Sequence, residues 1–432
     1  MTNERKAPKR IASVVINSLK GGVVPRIGLP YITVGRKNEI AALLHDVDIV
    51  SEGGASFRFI VGKYGSGKSF MLQTIRTYVM DRGFVVVDAD LSPERRLYGT
   101  NGQGIATYRE LVRNMSVKTR PEGGAMMLIL DRWVRVLNEQ VKDRAEAEKK
   151  LNEMMHAMNE LVHGYDFAAM LKMYWQADCE QNEETKALIV KWLRGEYNTK
   201  SEAREELGVR NIIGDNDWYD YLKLFAMFLK QAGYSGLMIL IDELVNIYKI
   251  PNSISRQNNY EKILTMYNDT MQGKAQYLGI LMSGTPQAVE DQRRGVYSYE
   301  ALHSRLAQGK FSREGARDML APVIHLEPLS AEEMLVLTGK LAELHERLYD
   351  YTCRLSDEDL AMFIKIEYGR IGAEKAITPR EVIRDFIELL DILYQNQDLT
   401  MEQLLNSDAF AFSKTMLEEE EETDAQFAEF TL

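Results

Sequence analysis

The sequence predicts an α/β fold: a parallel sheet carrying a phosphate-binding loop, interrupted by a large helical insertion and followed by a helical C-terminal domain. Three observations carry the prediction. An apolar run, FRFIV (57–61), leads directly into GKYGSGKS (62–69) and then into a helically periodic stretch, FMLQTIRTYVMDR, that stops at Gly83. Further buried-strand runs follow at FVVVDAD (84–90), LMILID (237–242), YLGILMSG (277–284) and VIHLEP (323–328). Between 100 and 236 strand patterns nearly vanish and helical periodicity takes over. Near-continuous apolar runs mark strands covered on both faces, as in a parallel sheet flanked by helices.

The first strand, the loop and the next helix make a βαβ unit with 84–90. Gly62, Lys63, Tyr64, Gly65, Ser66, Gly67, Lys68 and Ser69 match G-x-x-x-x-G-K-[ST]. Glycines let the backbone turn tightly so that its N–H groups face phosphate oxygens. The helix that begins there adds partial positive charge. Lys68 is placed to reach the β- and γ-phosphates, the Ser69 hydroxyl to ligate Mg²⁺, and Phe70 continues the binding segment into the helix. By composition such a match arises in roughly one chain of this length in a hundred, before its strand and helix context is counted.

After 84–90 the chain leaves the sheet. All four tryptophans, Trp133, Trp175, Trp192 and Trp218, fall in 100–236 and are expected to pack a helical subdomain of its own. The sheet resumes at 237–242, where five apolar residues end in Asp242-Glu243. An acid at the end of a buried strand, in a chain with a phosphate loop, points to a Walker B pair. Asp242 is expected in the Mg²⁺ shell, and Glu243 is expected to polarise the attacking water. Lys68 and Asp242 are 174 residues apart (68 to 242), so the helical stretch must be inserted between strands of one sheet. After 323–328, Ser330-Ala331-Glu332-Glu333 has capping-box spacing and opens a helix. The organisation expected is a flexible basic N-terminus (1–20), a sheet domain in two parts (21–99 and 237–329), the insertion (100–236), a helical domain (330–412) and an acidic disordered tail (413–432).

Composition narrows the class. The 432 residues carry 53 Lys+Arg against 64 Asp+Glu, a formal net charge of -11. Seven of those negatives are Glu418 to Glu422, Asp424 and Glu429, in the last fifteen residues, so the body is only mildly acidic. The balance argues against a protein that coats nucleic acid by bulk charge and leaves room for a local basic groove. Phe427, Phe430 and Leu432 among those acids make the tail either a solvated end or a docking peptide for a basic, apolar groove. No run approaches the ~18 apolar residues of a membrane helix. Met1 to Arg10 is polar and basic with no apolar core behind it, so a secretory signal is not expected; Arg5, Lys6, Lys9 and Arg10 could touch DNA phosphates or simply be solvated. Cys179 and Cys353 cannot build a disulfide framework, which fits a cytoplasmic protein. The six histidines show no metal spacing.

Several segments in order resemble a known family: GVVPRIGLPYITVGRKNEI (22–40), GKYGSGKS, LMILIDE, SGTPQAVED (283–291), YEALHSRL (299–306) and ITPREVIRDF (377–386). Over roughly 10 to 400 the chain resembles AAA+ P-loop ATPases of the ORC-like branch. More narrowly, it is similar to the BrxC/BrxD-type ATP-binding family of bacterial BREX phage-defence systems, with Shango-type defence ATPases similar in turn. The resemblance implies ATP and Mg²⁺ as cofactors and a helical lid at 330–412. It implies that Gly35 and Arg36, after Val34, belong to a linker over the adenine. It places sensor 1 at Ser283 or Thr285, between which the sequence does not choose. It makes Arg305 an arginine finger offered to a neighbouring subunit's ATP, with Arg293, Arg294 and Arg313 as competitors, and Arg380 a sensor 2. Guanidinium suits such a role because it neutralises charge spread over the γ-phosphoryl oxygens. Thr378-Pro379-Arg380 also reads as an ordinary helix start.

The function implied is an ATP-hydrolysing AAA+ ATPase of an anti-phage defence system, acting as a homo-oligomer on DNA or on a defence-operon partner of helicase, nuclease or methyltransferase type, with no membrane role. A nucleotide-gated scaffold with slow hydrolysis and an ORC-like ATP-dependent DNA-binding loader are the alternatives.

Overall fold

In a computed structural model, residues 6–158, 161–309, 317–369 and 378–405 are described. The acidic tail and Arg313 lie outside them. The chain divides into two units: a helical one (Met1–Arg36, Tyr64–Gly67, Glu327–Leu432) and a sheet one (Lys37–Lys63, Lys68–Leu326).

In chain order, α1 is Lys9–Lys20 and α2 Leu29–Ile32; α3 is Lys37–Ser51, β1 Ala55–Val61, α4 Lys68–Asp81 and β2 Val85–Asp90. The insertion supplies α5 (Gln103–Arg113), α6 (Met126–Glu139), α7 (Arg144–Met158), α8 (Gly164–Cys179), α9 (Glu183–Leu193), α10 (Lys200–Leu207) and α11 (Trp218–Gln231). Then come β3 (Leu237–Asp242), α12 (Val245–Tyr248), α13 (Ser253–Met271), β4 (Leu278–Gly284), α14 (Pro286–Glu290), α15 (Glu300–Leu306) and β5 (Val323–His325). The C-terminal helices are α16 (Ala331–Tyr349), α17 (Asp357–Gly369), α18 (Pro379–Gln395) and α19 (Met401–Leu405).

The five strands form one sheet in the order β2-β3-β4-β1-β5, and every pairing is parallel. This is the α/β P-loop ATPase fold. Side chains alternate between faces along a strand. On one face Phe57, Phe59, Val85, Val87, Leu237, Ile239, Leu278 and Ile280 join the core. On the other, Ile60, Val86, Met238, Leu240 and Leu281 pack with Leu43 and Val47 of α3 and Leu72 and Ile75 of α4. The last strand, Val323–His325, is shorter than VIHLEP suggests.

Two expectations are corrected. All four tryptophans are buried, but not in a separate core: they share one continuous core with the first sheet face. The insertion therefore covers part of that face, with α13 packed over β1 in the same core. It also blunts the open edge of β2, where Val86 and Ser116 exchange N–H···O=C bonds of 3.0 and 2.8 Å. Second, residues 9–20 are not a flexible arm. Ala12, Val15 and Ile16 form a buried stripe at helical spacing on α1, which packs on α16 and α18 within the helical unit. Basic residues at its start hid an amphipathic helix. Residues through Arg36 group with the helical unit as well, rather than with the sheet. The Ser330 capping box forms as its spacing predicts.

Candidate nucleotide-binding site

The strand order places β4 between β3 and β1, so the ends of these three strands lie side by side. Open α/β sheets bind ligands at the carboxyl ends of their strands. In the sheet unit the phosphate loop leaves β1, and its start is fixed by the Gly62 N–H donating to the Gly284 carbonyl at the end of β4 (3.2 Å). Lys68 opens α4 and donates from Nζ to the Lys63 carbonyl at 2.8 Å. Burial pushes the Lys68 pKa down, against the pull of Asp242 and Glu243. Phe70 is half-buried on α4.

Asp242 is buried at the end of β3. Its carboxylate accepts from the Ser69 hydroxyl at 2.6 Å, from the Ser283 hydroxyl and from the Glu243 N–H at 2.8 Å. Parity explains the Ser283 contact. Met282 belongs to the insertion-side core, so Ser283 turns to the α4 face, where Asp242 also points. Thr285 is used differently: its hydroxyl accepts the Ala288 N–H and caps α14. Of the two sensor-1 candidates, the structure joins Ser283 to the acid and leaves Thr285 as a helix cap.

Glu243 sits in the left-handed region at φ 63°, a conformation that costs a non-glycine residue about 1–2 kcal/mol. Asn246 holds the turn: its N–H donates to the Glu243 carbonyl at 3.0 Å, and its side-chain amide reaches the Leu91 carbonyl at 2.8 Å. Backbone strain retained at one acid beside a phosphate loop is characteristic of functional positions. Among the described residues the Glu243 carboxylate receives no hydrogen bond or ion pair. Burial, then Asp242 and Asp90, raise its pKa, against Lys68 and Lys249.

Asp90 is the residue that sequence reasoning missed. It ends β2 in register with Asp242. It keeps more than a third of its surface exposed, yet the protein massed around its carboxyl, followed by Asp242 and Asp88, raises its pKa. The available signal was of the same kind as for Asp242: an acid ending an apolar strand.

Within the helical unit, the loop tip has Gly65 and Gly67 at φ 70° and 94°. A Cβ on Gly65 would lie 2.6 Å from the Thr378 side chain, so only glycine fits. The Ser66 hydroxyl is buried without a partner among the described residues. Arg36, at φ 59°, donates to the Ser66 carbonyl at 3.1 Å. Gly35 lies against the Glu333 carboxylate, 2.6 Å from where a Cβ would stand. Arg380 is exposed at the start of α18, and Gly22 comes close enough that a Cβ there would meet its guanidinium at 2.9 Å.

Arg305 is exposed on α15 and donates to the Ala301 carbonyl of its own helix at 2.7 Å. Arg294 is engaged locally, against the Tyr248 ring and the Tyr248 and Ile250 carbonyls. Arg293 is exposed.

The residues fit a triphosphate with Mg²⁺. A hydroxyl and a carboxylate face each other at 2.6 Å, the loop tip holds an orphaned buried hydroxyl, and burial, then the charge of Asp242, raises the pKa of both Asp90 and Glu243. A divalent cation would relieve that crowding. Magnesium is ordinarily held by one or two carboxylates together with substrate phosphates rather than by an all-protein cage. Among the described residues no helix is long and apolar enough to cross a membrane.

A family described as BREX system ATP-binding protein BrxC/D matches residues 7–409, and the chain belongs to that family. ATP binding comes with that membership. No curated protein matches the chain.

Proposed function

We propose that this member of the BREX ATP-binding family hydrolyses ATP with Mg²⁺, as a cytoplasmic homo-oligomer that couples the cycle to DNA or to a defence partner protein. The observation that carries the reading is the Ser69–Asp242–Ser283 cluster with Glu243 beside it, in a strained turn and with no partner for its carboxylate among the described residues. Pure nucleotide binding needs the loop and Lys68; it does not need a second carboxylate in a strained turn.

Each residue has a task. The loop N–H groups and Lys68 bind the phosphates. Ser69 and Asp242 would hold the metal, which when bound neutralises charge on the phosphate oxygens. Ser283 fixes the Asp242 carboxylate. Glu243 orients a water and takes its proton as the water attacks the γ-phosphorus, and ADP leaves. Arg305, exposed and spent on its own helix, suits a finger completed by a neighbouring copy; Arg380 suits a sensor on the lid. Phosphate release measured on wild type, Lys68→Ala and Glu243→Gln tests the proposal. Turnover in wild type alone supports it; equal turnover in all three would refute it.

A further inference from the structure

The polar row at the sheet's carboxyl edge has a third member without an assigned task. Along β2, Val86 joins the α4-side core and Asp88 pairs with Arg76 of α4 at 3.2 Å. Alternation puts Asp90 on that same face. Its register partner is Asp242, so the two residues stand one strand spacing apart, about 4.8 Å, with side chains leaving the sheet on the same side.

The chain treats its acids here unequally. Asp88 is ion-paired with a buried arginine. Asp242 takes three donors. Asp90 takes none at its carboxylate among the described residues. Arg95, five residues on, donates instead to the Asp90 backbone carbonyl at 3.1 Å and lies 3.7 Å from Glu110. A negative charge is thus left open beside the residue that would hold the metal.

We infer that Asp90 is a positioning residue of the metal site, accepting hydrogen bonds from the water shell of the magnesium ion that Ser69 and Asp242 hold. Magnesium dehydrates reluctantly and keeps several waters. Outer-shell acceptors for such a site contribute about 10–100-fold in metal affinity. The inference rests on reading the loop as a Mg²⁺–ATP site. It has a consequence with two signs. With the metal, Asp90 strengthens nucleotide binding; without it, the same charge repels the phosphates.

The test is a titration of the full chain with a fluorescent ATP analogue, in EDTA and at rising Mg²⁺, for wild type, Asp90→Asn and Asp90→Ala, with melting curves confirming folded variants. Both variants are expected to need about 10-fold more Mg²⁺ for half-maximal binding, while binding the analogue at least as tightly as wild type in EDTA. An unchanged magnesium requirement in both variants overturns the inference. So does weaker binding to the same extent with and without metal, which would mark a structural role. Wild type showing no magnesium-dependent binding would instead overturn the Mg²⁺–ATP reading beneath it.

Discussion

The acids and lysine at the sheet edge and the arginines Arg305 and Arg380 stand in opposite conditions. Ser69, Ser283 and the Glu243 N–H all converge on one buried carboxylate, and Lys68 is anchored on its own loop. The two arginines are exposed, and among the described residues Arg305 reaches only its own helix. The groups that would bind nucleotide are thus organised by hydrogen bonds within one chain. Arg305, which would neutralise transition-state charge, is held only by its own helix among the described residues. This difference predicts that binding and turnover separate experimentally.

The sharpest break is Lys68→Ala. It is expected to abolish ATP binding and turnover together, measured by equilibrium binding and phosphate release. Arg305→Ala is expected to leave binding intact and cut turnover on the order of 10³-fold at concentrations where wild type assembles. Undiminished turnover per chain in dilute, monomeric wild type would contradict a finger acting between copies. Glu243→Gln is expected to lower turnover about 10²-fold or more while binding persists. Because burial and the neighbouring acids raise the Glu243 pKa, and the base works deprotonated, turnover should fall as pH drops through that raised value. The acid limb of the profile should therefore lie above the ~4.3 of an ordinary glutamate.

The smallest effects separate Ser283 from Thr285. Ser283→Ala removes a donor from a buried carboxylate and should cost about 1–3 kcal/mol of stability along with turnover. Thr285→Ala removes a helix cap, about 1 kcal/mol, and should leave turnover per folded molecule unchanged. Thermal melts paired with phosphate release read both.

Strands were legible because a sheet covered on both faces writes itself as unbroken apolar runs: LMILID is buried at every position. The loop and Asp242-Glu243 were legible because their chemistry demands particular residue types. Asp90 was not, although its residue type was in plain view. Its meaning depends on β2 lying beside β3, and neighbours in a crossover sheet are set by tertiary packing rather than by local pattern. Ser283 and Thr285 share one parity, so counting from Met282 could not choose between them; what separates them is that β4 ends at Gly284 and Thr285 caps the helix opened by Pro286. The helix at Lys9–Lys20 was obscured by its charged start, and the shared core of the insertion by the absence of any sequence mark for which face a helix covers.

The most direct measurement of the central claim is a structure of the chain with Mg²⁺ and a non-hydrolysable ATP analogue. The account predicts the triphosphate in the 62–69 loop, with Lys68 on its terminal phosphates and the metal taken between the Ser69 hydroxyl and the Asp242 carboxylate. An empty loop, or a bound nucleotide whose metal is remote from Asp242, would contradict it.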